Sequence, residues 1–380
     1  MKKVLLVATV QSHIAQFHKP LIEMLHENGC VVHVEARNNL AEKDGLTIDE
    51  ADRVFDIPFA RSPFSIKNLK AYKQLKNLIM TGRYDVVHCN TPVGGVLTRM
   101  ACKKIKKSKP FVIYEAHGFH FYKGSSKKSW MLWYPIEKHF SRYTDTLITI
   151  MREDYSLASK KFKCKTALVH GVGVNTKKYV DFSLEKKTEI RKQYNLEPST
   201  KVILCTGELN KNKNQTLLIN AIPDIVKHYA NIHVLFAGGG PLKEQLQEQV
   251  KKLGVEKYIT FLGYKSNLEN FTNIADLVVS CSLREGLPMN IVEAMRLAKP
   301  IVASPNRGHL ELLEDKKTGL IVSSLNCENL ASNIVYVLEH EEESLQMGQM
   351  AKKVSVLYTD ENIKQELYKV YFEQGRGELL

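Results

Sequence analysis

The sequence predicts an α/β protein built from two doubly wound, Rossmann-like parallel sheets facing one another across a central cleft. Three observations carry that expectation. The chain has 380 residues, too many for one compact core and well suited to two domains. Short apolar runs alternate with amphipathic stretches throughout, the rhythm of parallel strands covered on both faces by helices. That rhythm runs twice, and the turn-rich, then charged stretch at 171–198 separates the two runs as the expected hinge.

In the first half, strands are expected at 4–8, 31–36, 54–57, 85–89, 111–116, 146–150 and 166–170. Helices are expected between them at 17–27, 67–80, 94–105, 127–142 and 152–161. The second half gives strands at 202–206, 233–237, 258–261, 277–280, 300–303 and 319–322. Its helices are expected at 215–228, 242–253, 268–273, 289–297 and 328–340, and two more follow at 345–358 and 361–374. The expected domains are therefore 1–175 and 176–358, with 359–380 as a terminal helical segment.

Composition narrows the function. A hydrophobic content of 44% with 25% charged residues fits a soluble globular protein, and no apolar run approaches the ~18 residues that would suggest a membrane span. The N-terminal apolar stretch is short and ends in polar Thr9, Gln11, Ser12 and His13, so it reads as a first strand and not a signal peptide. Seven dispersed cysteines without a CxxC pair imply buried thiols in a reducing cytoplasm, and no metal-ligand cluster is visible. Residues 1–175 hold 28 Lys+Arg against 15 Asp+Glu, whereas residues 176–380 hold 26 of each, so the first half carries the whole net charge of +13. A one-sided basic domain suggests an anionic partner: a membrane surface, a phosphorylated lipid or nucleic acid. No nucleic-acid-binding motif accompanies the charge, which disfavours the last.

Ligands of open α/β sheets bind at the C-terminal ends of strands, and the candidate residues cluster there. The stretch Ser282 to Ala294 reads as a strand end, a sharp loop and a helix starting near Pro288. Its free N–H groups and dipole favour an anion. Glu285 and Glu293 bracket that site; two carboxylates would repel a phosphate but can accept hydrogen bonds from hydroxyls on either side of one. A sugar nucleotide presents that pattern. The plain alternative is an ordinary strand–loop–helix unit with two surface glutamates. In Gly207-Glu208-Leu209-Asn210-Lys211-Asn212-Lys213, Gly207 allows a sharp turn and Lys213 could hold a diphosphate; a solvated loop capped by Asn214 explains it equally. Gly238-Gly239-Gly240-Pro241 permits close backbone approach to a ligand, or is a tight turn, and is not a GxGxxG fingerprint. His117, before Gly118 at a strand end, can donate a hydrogen bond into the cleft. The stretch 126–142 mixes Trp130, Trp133 and Phe140 with lysines; it suits either a membrane-interface helix or a core helix with a basic face, and the lysines of 103–109 could attract anionic lipids. No D-x-D, GxxxxGK[ST], HExxH or G-x-S-x-G is present, which excludes the common P-loop kinases, zinc proteases and α/β-hydrolases.

With these residues assembled, the chain resembles the retaining glycosyltransferases of family 4, of the GT-B fold and of the bacterial exopolysaccharide or capsule type, over nearly its whole length. The E-x7-E motif is matched by Glu285 and Glu293 in Arg-Glu-Gly-Leu-Pro-Met-Asn-Ile-Val-Glu-Ala. Phe-Ala-Gly-Gly-Gly-Pro (236–241), Phe-Leu-Gly-Tyr (261–264), Ala-Asp-Leu-Val-Val-Ser-Cys-Ser (275–282), Lys-Thr-Gly-Leu-Ile-Val (317–322) and the His-Gly pair at His117 support it. The resemblance implies that Glu285 contacts the donor sugar and that the amides of Gly286, Leu287, Pro288 (as spacer) and Met289 line the sugar and diphosphate. It also implies that Glu293 holds the ribose, Tyr264 lines the base, Lys213 holds phosphate and His117 lies near the donor sugar, with Gly207 and Gly239 in the nucleotide-binding loops. The last helix would cross back to the first domain, which would bind the acceptor. Glu208 departs from the family, standing where an arginine is usual, and Thr9-Val10-Gln11-Ser12-His13 replaces the usual Gly-Gly loop.

The expected function is metal-independent, retaining transfer of a hexosyl or N-acetylhexosaminyl group from a UDP-sugar to a lipid-linked saccharide in surface polysaccharide synthesis. No cofactor beyond the donor substrate is expected. The expected place is the cytoplasmic face of the membrane, alongside other polaccharide-synthesis enzymes. A GT-B epimerase or phosphorylase, or an idle scaffold subunit, are the rival readings.

Overall fold

The computed structural model describes residues 1–42, 46–105 and 107–373. Residue 106 of the basic run 103–109, residue 374 of the expected last helix and residues 374–380 of the expected terminal segment lie outside the described residues. The chain divides into two compact units: Met1–Gly173 together with the segment that begins at Asp360, and Val174–Thr359.

The first unit is a seven-stranded sheet: β1 (Lys3–Val10), β2 (Val31–Arg37), β3 (Arg53–Asp56), β4 (Val86–Asn90), β5 (Phe111–Ala116), β6 (Thr146–Thr149) and β7 (Lys165–Leu168). The order is β3-β2-β1-β4-β5-β6-β7 and every pair is parallel, with Leu5 opposite His33 on one side and Val87 on the other. Val4 through Ala8 have no exposed surface, as a central strand covered on both faces requires. One core layer joins Val4, Leu6 and Val34 to Ile363, Leu367, Val370 and Tyr371 of the segment after Asp360. The opposite layer joins Leu5, Val7, Leu75 and Phe121.

The second unit repeats the plan with β8 (Lys201–Thr206), β9 (Ile232–Ala237), β10 (Ile259–Gly263), β11 (Leu277–Ser280), β12 (Ile301–Ala303) and β13 (Leu320–Ile321). Their order, β10-β9-β8-β11-β12-β13, reverses direction between β8 and β11. Such a switch point opens a crevice at the strand ends where loops diverge to opposite faces; in the first unit the equivalent point lies between β1 and β4.

Each expected strand is present within a residue or two of its bounds. The helices hold two corrections. The helix expected at 17–27 is Lys19–Glu27, and a further seven-residue helix, Gln11–Phe17, which was not expected, follows β1 directly and is separated from Lys19–Glu27 by a break at His18. The helix expected at 289–297 is present as Met289–Arg296, with Pro288 just before it. A short helix, Arg307–Leu312, was not expected at all. The stretch 126–142 resolves toward the core alternative: Lys127–Phe140 is one helix that contains Pro135, and Trp130, Trp133 and Tyr134 pack on the apolar layer beneath it. Met131 and Leu132 remain exposed on its outer side.

All seven cysteines are free thiols, five of them buried. Among the described residues no helix is long and apolar enough to cross a membrane.

Candidate active site

The loops after β8 and β11 meet at the switch point of the second unit. Leu283 N–H donates to Asn212 O at 2.8 Å, and Asn212 Nδ2 donates to Arg284 O at 2.9 Å. This pairing sets Lys213 against Glu285, with Nζ 2.6 Å from Oε1. The two side chains are 22% and 13% exposed, so the pair faces solvent rather than the core. Asn210 Oδ1 accepts from Lys213 N–H at 2.9 Å and fixes the turn that presents the lysine. Glu208 is exposed; its carboxylate accepts from Asn210 Nδ2 at 2.9 Å. It therefore caps its own turn.

Glycines let these loops approach. Gly207 has φ +134°, and a Cβ there would meet the Lys213 side chain at 3.1 Å. A Cβ on Gly240 (φ +157°) would stand 2.5 Å from Leu209 O, a distance real atoms do not tolerate. Gly239 O accepts from Leu209 N–H at 2.9 Å, and a Cβ on Gly239 would meet open space. Gly263 O accepts from Gly238 N–H at 2.8 Å, which ties the glycine turn to the end of β10; the next side chain, Tyr264, is 51% exposed.

The Glu285–Gly286 turn has a backing the sequence did not signal. A Cβ on Gly308 would lie 2.2 Å from Gly286 O and 2.7 Å from Glu285 Cβ. Asn306 Oδ1 caps the helix Arg307–Leu312 by accepting from Gly308 and His309 N–H, while its Nδ2 donates to Ser282 O at 2.9 Å. Ser304 Oγ donates to the same carbonyl at 2.5 Å. No side chain caps Met289–Arg296, so the N–H groups at its start, ahead of Ile291, whose N–H donates to Pro288 O at 3.1 Å, are open to a ligand. Glu293, in the second turn of that helix, bonds the buried Tyr179 hydroxyl. Burial pushes the Glu293 carboxyl up to about 7, although the Tyr179 hydrogen bond and Lys178 work against the rise.

His117 belongs to the first unit, just after β5, and stands in a cluster of imidazoles. Its Nε2 lies 3.4 Å from Glu115 Oε1 and 3.3 Å from Asn90 Oδ1. Glu115 Oε2 lies 3.1 Å from His88 Nε2 and 4.0 Å from His18 Nδ1. Burial would raise the Glu115 carboxyl, yet the imidazoles around it, His117 foremost, hold it well below the usual carboxylate range. Burial lowers His117 and His13 and takes His18 down to about 3. Ser12 and Gln11 are buried in the helix after β1, and Ser12 N–H donates to Asn39 Oδ1 at 3.0 Å.

Comparison with known proteins decides the family. The Bacillus subtilis protein EpsD is 36% identical over 372 residues, covering 97% of this chain and 96% of EpsD. The chain belongs to the group 1, family 4-like glycosyltransferases. The family models described as "Glycosyl transferases group 1" and "Glycosyl transferase 4-like" match residues 186–354 and 3–151 of this glycosyltransferase. It is 24% identical over 298 residues, 77% of this chain and 76% of the relative, to the UDP-Gal:alpha-D-GlcNAc-diphosphoundecaprenol alpha-1,3-galactosyltransferase of Escherichia coli. Its two sheets have the GT-B fold: the solved structure of Anabaena Alr3699/HepE in complex with UDP and glucose superposes with a TM-score of 0.78 at 18% identity, covering 97% and 99% of the two chains.

In this glycosyltransferase the second unit brings together Lys213, Glu285, Gly286, Leu287, Pro288, Met289, Gly207 and Glu208 on loops that bond one another. His117 lies in the other unit. Sequence reasoning missed Tyr179, Asn306 and Gly308. A tyrosine in a loop and a glycine after a short strand carry no pattern; only tertiary placement gives them a task.

Proposed function

We propose that this glycosyltransferase moves a hexosyl or N-acetylhexosaminyl group from a UDP-sugar to a lipid-linked saccharide, with retention of configuration, during synthesis of a surface or extracellular polysaccharide. The observation that carries the reading is the arrangement at the switch point of the second unit. Lys213, on the loop after β8, pairs with Glu285, and Glu285, an uncapped helix start and Glu293 lie on the strand–loop–helix unit that includes β11. The open N–H groups and Lys213 suit a diphosphate; Glu285 and Glu293 suit the hydroxyls of a sugar and a ribose.

In the reaction the anomeric C–O bond to the diphosphate breaks while the acceptor oxygen bonds the same face of that carbon. The departing phosphate oxygen takes the acceptor's proton. Lys213 and the N–H groups of Gly286, Leu287 and Met289 stabilise the charge that grows on the leaving group, so no metal or further cofactor is required. The E. coli relative's name gives UDP-Gal as its donor and a diphosphoundecaprenol-linked sugar as its acceptor, which supports both choices.

The basic first unit suits a place on the anionic cytoplasmic face of a membrane. Phe64, Ile66 and Leu69 are 87%, 82% and 66% exposed beside Lys67 and Lys70 at the start of the helix Lys67–Gly82, a mixture of apolar and basic groups that fits a lipid interface.

The test is a thermal-shift screen of UDP, GDP, ADP and their sugars, because stabilisation follows affinity for the folded state. UDP and one UDP-sugar are expected to give the largest shifts, and transfer to a lipid-linked acceptor should give an axial or equatorial linkage that matches the donor. A larger shift with another nucleotide would overturn the donor. No shift with any nucleotide would favour an idle scaffold, and product formed without an acceptor would favour an epimerase or phosphorylase.

A further inference from the structure

The imidazole cluster of the first unit is more than the sugar contact assigned to His117. His13 lies on the helix Gln11–Phe17, His18 in the break that follows it, and His117 just after β5. Ring centroids are 4.6 Å apart for His13 and His117, 5.3 Å for His13 and His18, and 5.6 Å for His18 and His117. One ring nitrogen from each lies within 4.8 Å of the other two. Nε2 of His13 and Nε2 of His18 are buried and have no hydrogen-bond partner among the described residues.

Beneath them, the carboxylate of Glu115 is 3% exposed. Among the described residues, the basic side chains within 4 Å of it are the imidazoles of His18, His88 and His117. His88 does not compete for a ligand, because its Nδ1 faces the Tyr371 hydroxyl at 2.5 Å and its Nε2 faces Glu115.

We infer that His13, His18 and His117 form a zinc site, with Glu115 as the carboxylate that orients the rings and balances the ion. Three imidazoles and an open fourth position are a donor set that suits Zn²⁺, and a carboxylate behind a ligating histidine is the usual outer partner. Zn–N bonds of about 2.1 Å require tetrahedral ligand nitrogens about 3.4 Å apart, so the rings draw inward on binding. Partial exposure of His13 and His117 gives the ion its entry path. The inference does not rest on the proposed reaction, since it concerns binding alone.

Equilibrium dialysis of the metal-free full chain against Zn²⁺ tests it, with thermal unfolding followed in parallel. The expected result is one Zn²⁺ per chain and a raised Tm. His13→Ala and His117→Gln should each weaken uptake more than the about 10- to 100-fold typical of losing an outer-shell partner, whereas His340→Ala, at an exposed site far along the chain, should bind as the parent does. Circular dichroism confirms that each variant is folded; should one variant unfold, the other decides. No stoichiometric uptake by the parent, or uptake unchanged in a folded His13→Ala or His117→Gln variant, overturns the site.

Discussion

Lys213 Nζ sits 2.6 Å from Glu285 Oε1, so the cation and the carboxylate at the switch point of the second unit hold each other in place. The pair is partly exposed, which limits its worth for stability. Its value is positional: each side chain holds the other, and neither must be ordered when a ligand arrives.

Lys213→Ala removes the cation and, in the proposed reaction, leaves Glu285 without its partner beside the leaving group. Loss of one preorganised charge-stabilising donor typically costs about 10²- to 10³-fold in turnover. Steady-state transfer assays should show that loss in kcat, with a smaller change in Tm. Near-parental kcat would remove Lys213 from the chemistry.

Nucleotide binding should depend on pH through Glu293. Burial raises this carboxyl from 4.5 to about 7, so the folded protein holds its proton more tightly than the unfolded chain does. The stability this contributes is full below about pH 4.5 and is lost as pH rises through about 7. Accepting ribose hydroxyls calls for the ionised form, so UDP affinity should rise between pH 6 and pH 8. Calorimetric titration of Glu293→Gln should give weak binding with a flat profile. A sloping profile in that variant would assign the titration elsewhere.

Gly308→Ala should loosen the turn at Gly286 without touching any ligand. Its new methyl would meet Gly286 O at 2.2 Å, so backbone must move. Overpacking of this kind costs about 1–3 kcal/mol. The expected signature is a lowered Tm together with weaker UDP binding, read by denaturation and calorimetry on one preparation.

The first unit holds a buried ion pair of a different kind. Arg99 is 1% exposed, donates to Glu137 Oε2 at 2.9 Å and stacks over the Tyr114 ring, whose hydroxyl donates to Glu137 Oε1 at 3.1 Å. Glu137→Leu strands the guanidinium and should cost about 3–5 kcal/mol in urea denaturation. Arg99→Met combined with Glu137→Leu should recover most of that loss, because the cost lies in the uncompensated charge.

Membrane association can be read from the patch at Phe64, Ile66 and Leu69. Replacing all three with serine should reduce co-sedimentation with vesicles rich in phosphatidylglycerol while leaving the Tm close to the parent's, since the side chains are exposed. Equal sedimentation of the triple variant would place the contact elsewhere on the basic unit.

The sheets were legible because each central strand is an apolar run bounded by turn residues, and the period of the pattern survives any detail of packing. The helix Gln11–Phe17 was not, since Thr9 to His13 reads as a polar loop; its buried Gln11 and Ser12 are satisfied by Ala36 and Asn39, residues from another strand end. Glu285 and Glu293 were visible as a spacing, but the partner of each, Lys213 and Tyr179, comes from a distant part of the chain. The two tryptophans left both alternatives open for a related reason. A helix rich in aromatics and lysines has the same composition whether its apolar side meets lipid or a core, and only Phe121 and Phe162 beneath it settle which.

The sheet that begins the chain is finished by residues that come after the second unit. Ile363, Leu367, Val370 and Tyr371 pack into the layer built on Val4 and Leu6, and Glu366 binds His170 at 2.7 Å. On the ribosome, Val174–Thr359 is therefore complete before Met1–Gly173 can close. The nascent first sheet waits with one face covered only in part, by residues such as Ile14, Leu21 and Ile22, for the time needed to synthesise about 190 residues, roughly 10–40 s at typical elongation rates. Pairing across so long a stretch is slow. Pulse-labelled refolding should find the second sheet protected first, and chaperone dependence during synthesis should map to the first.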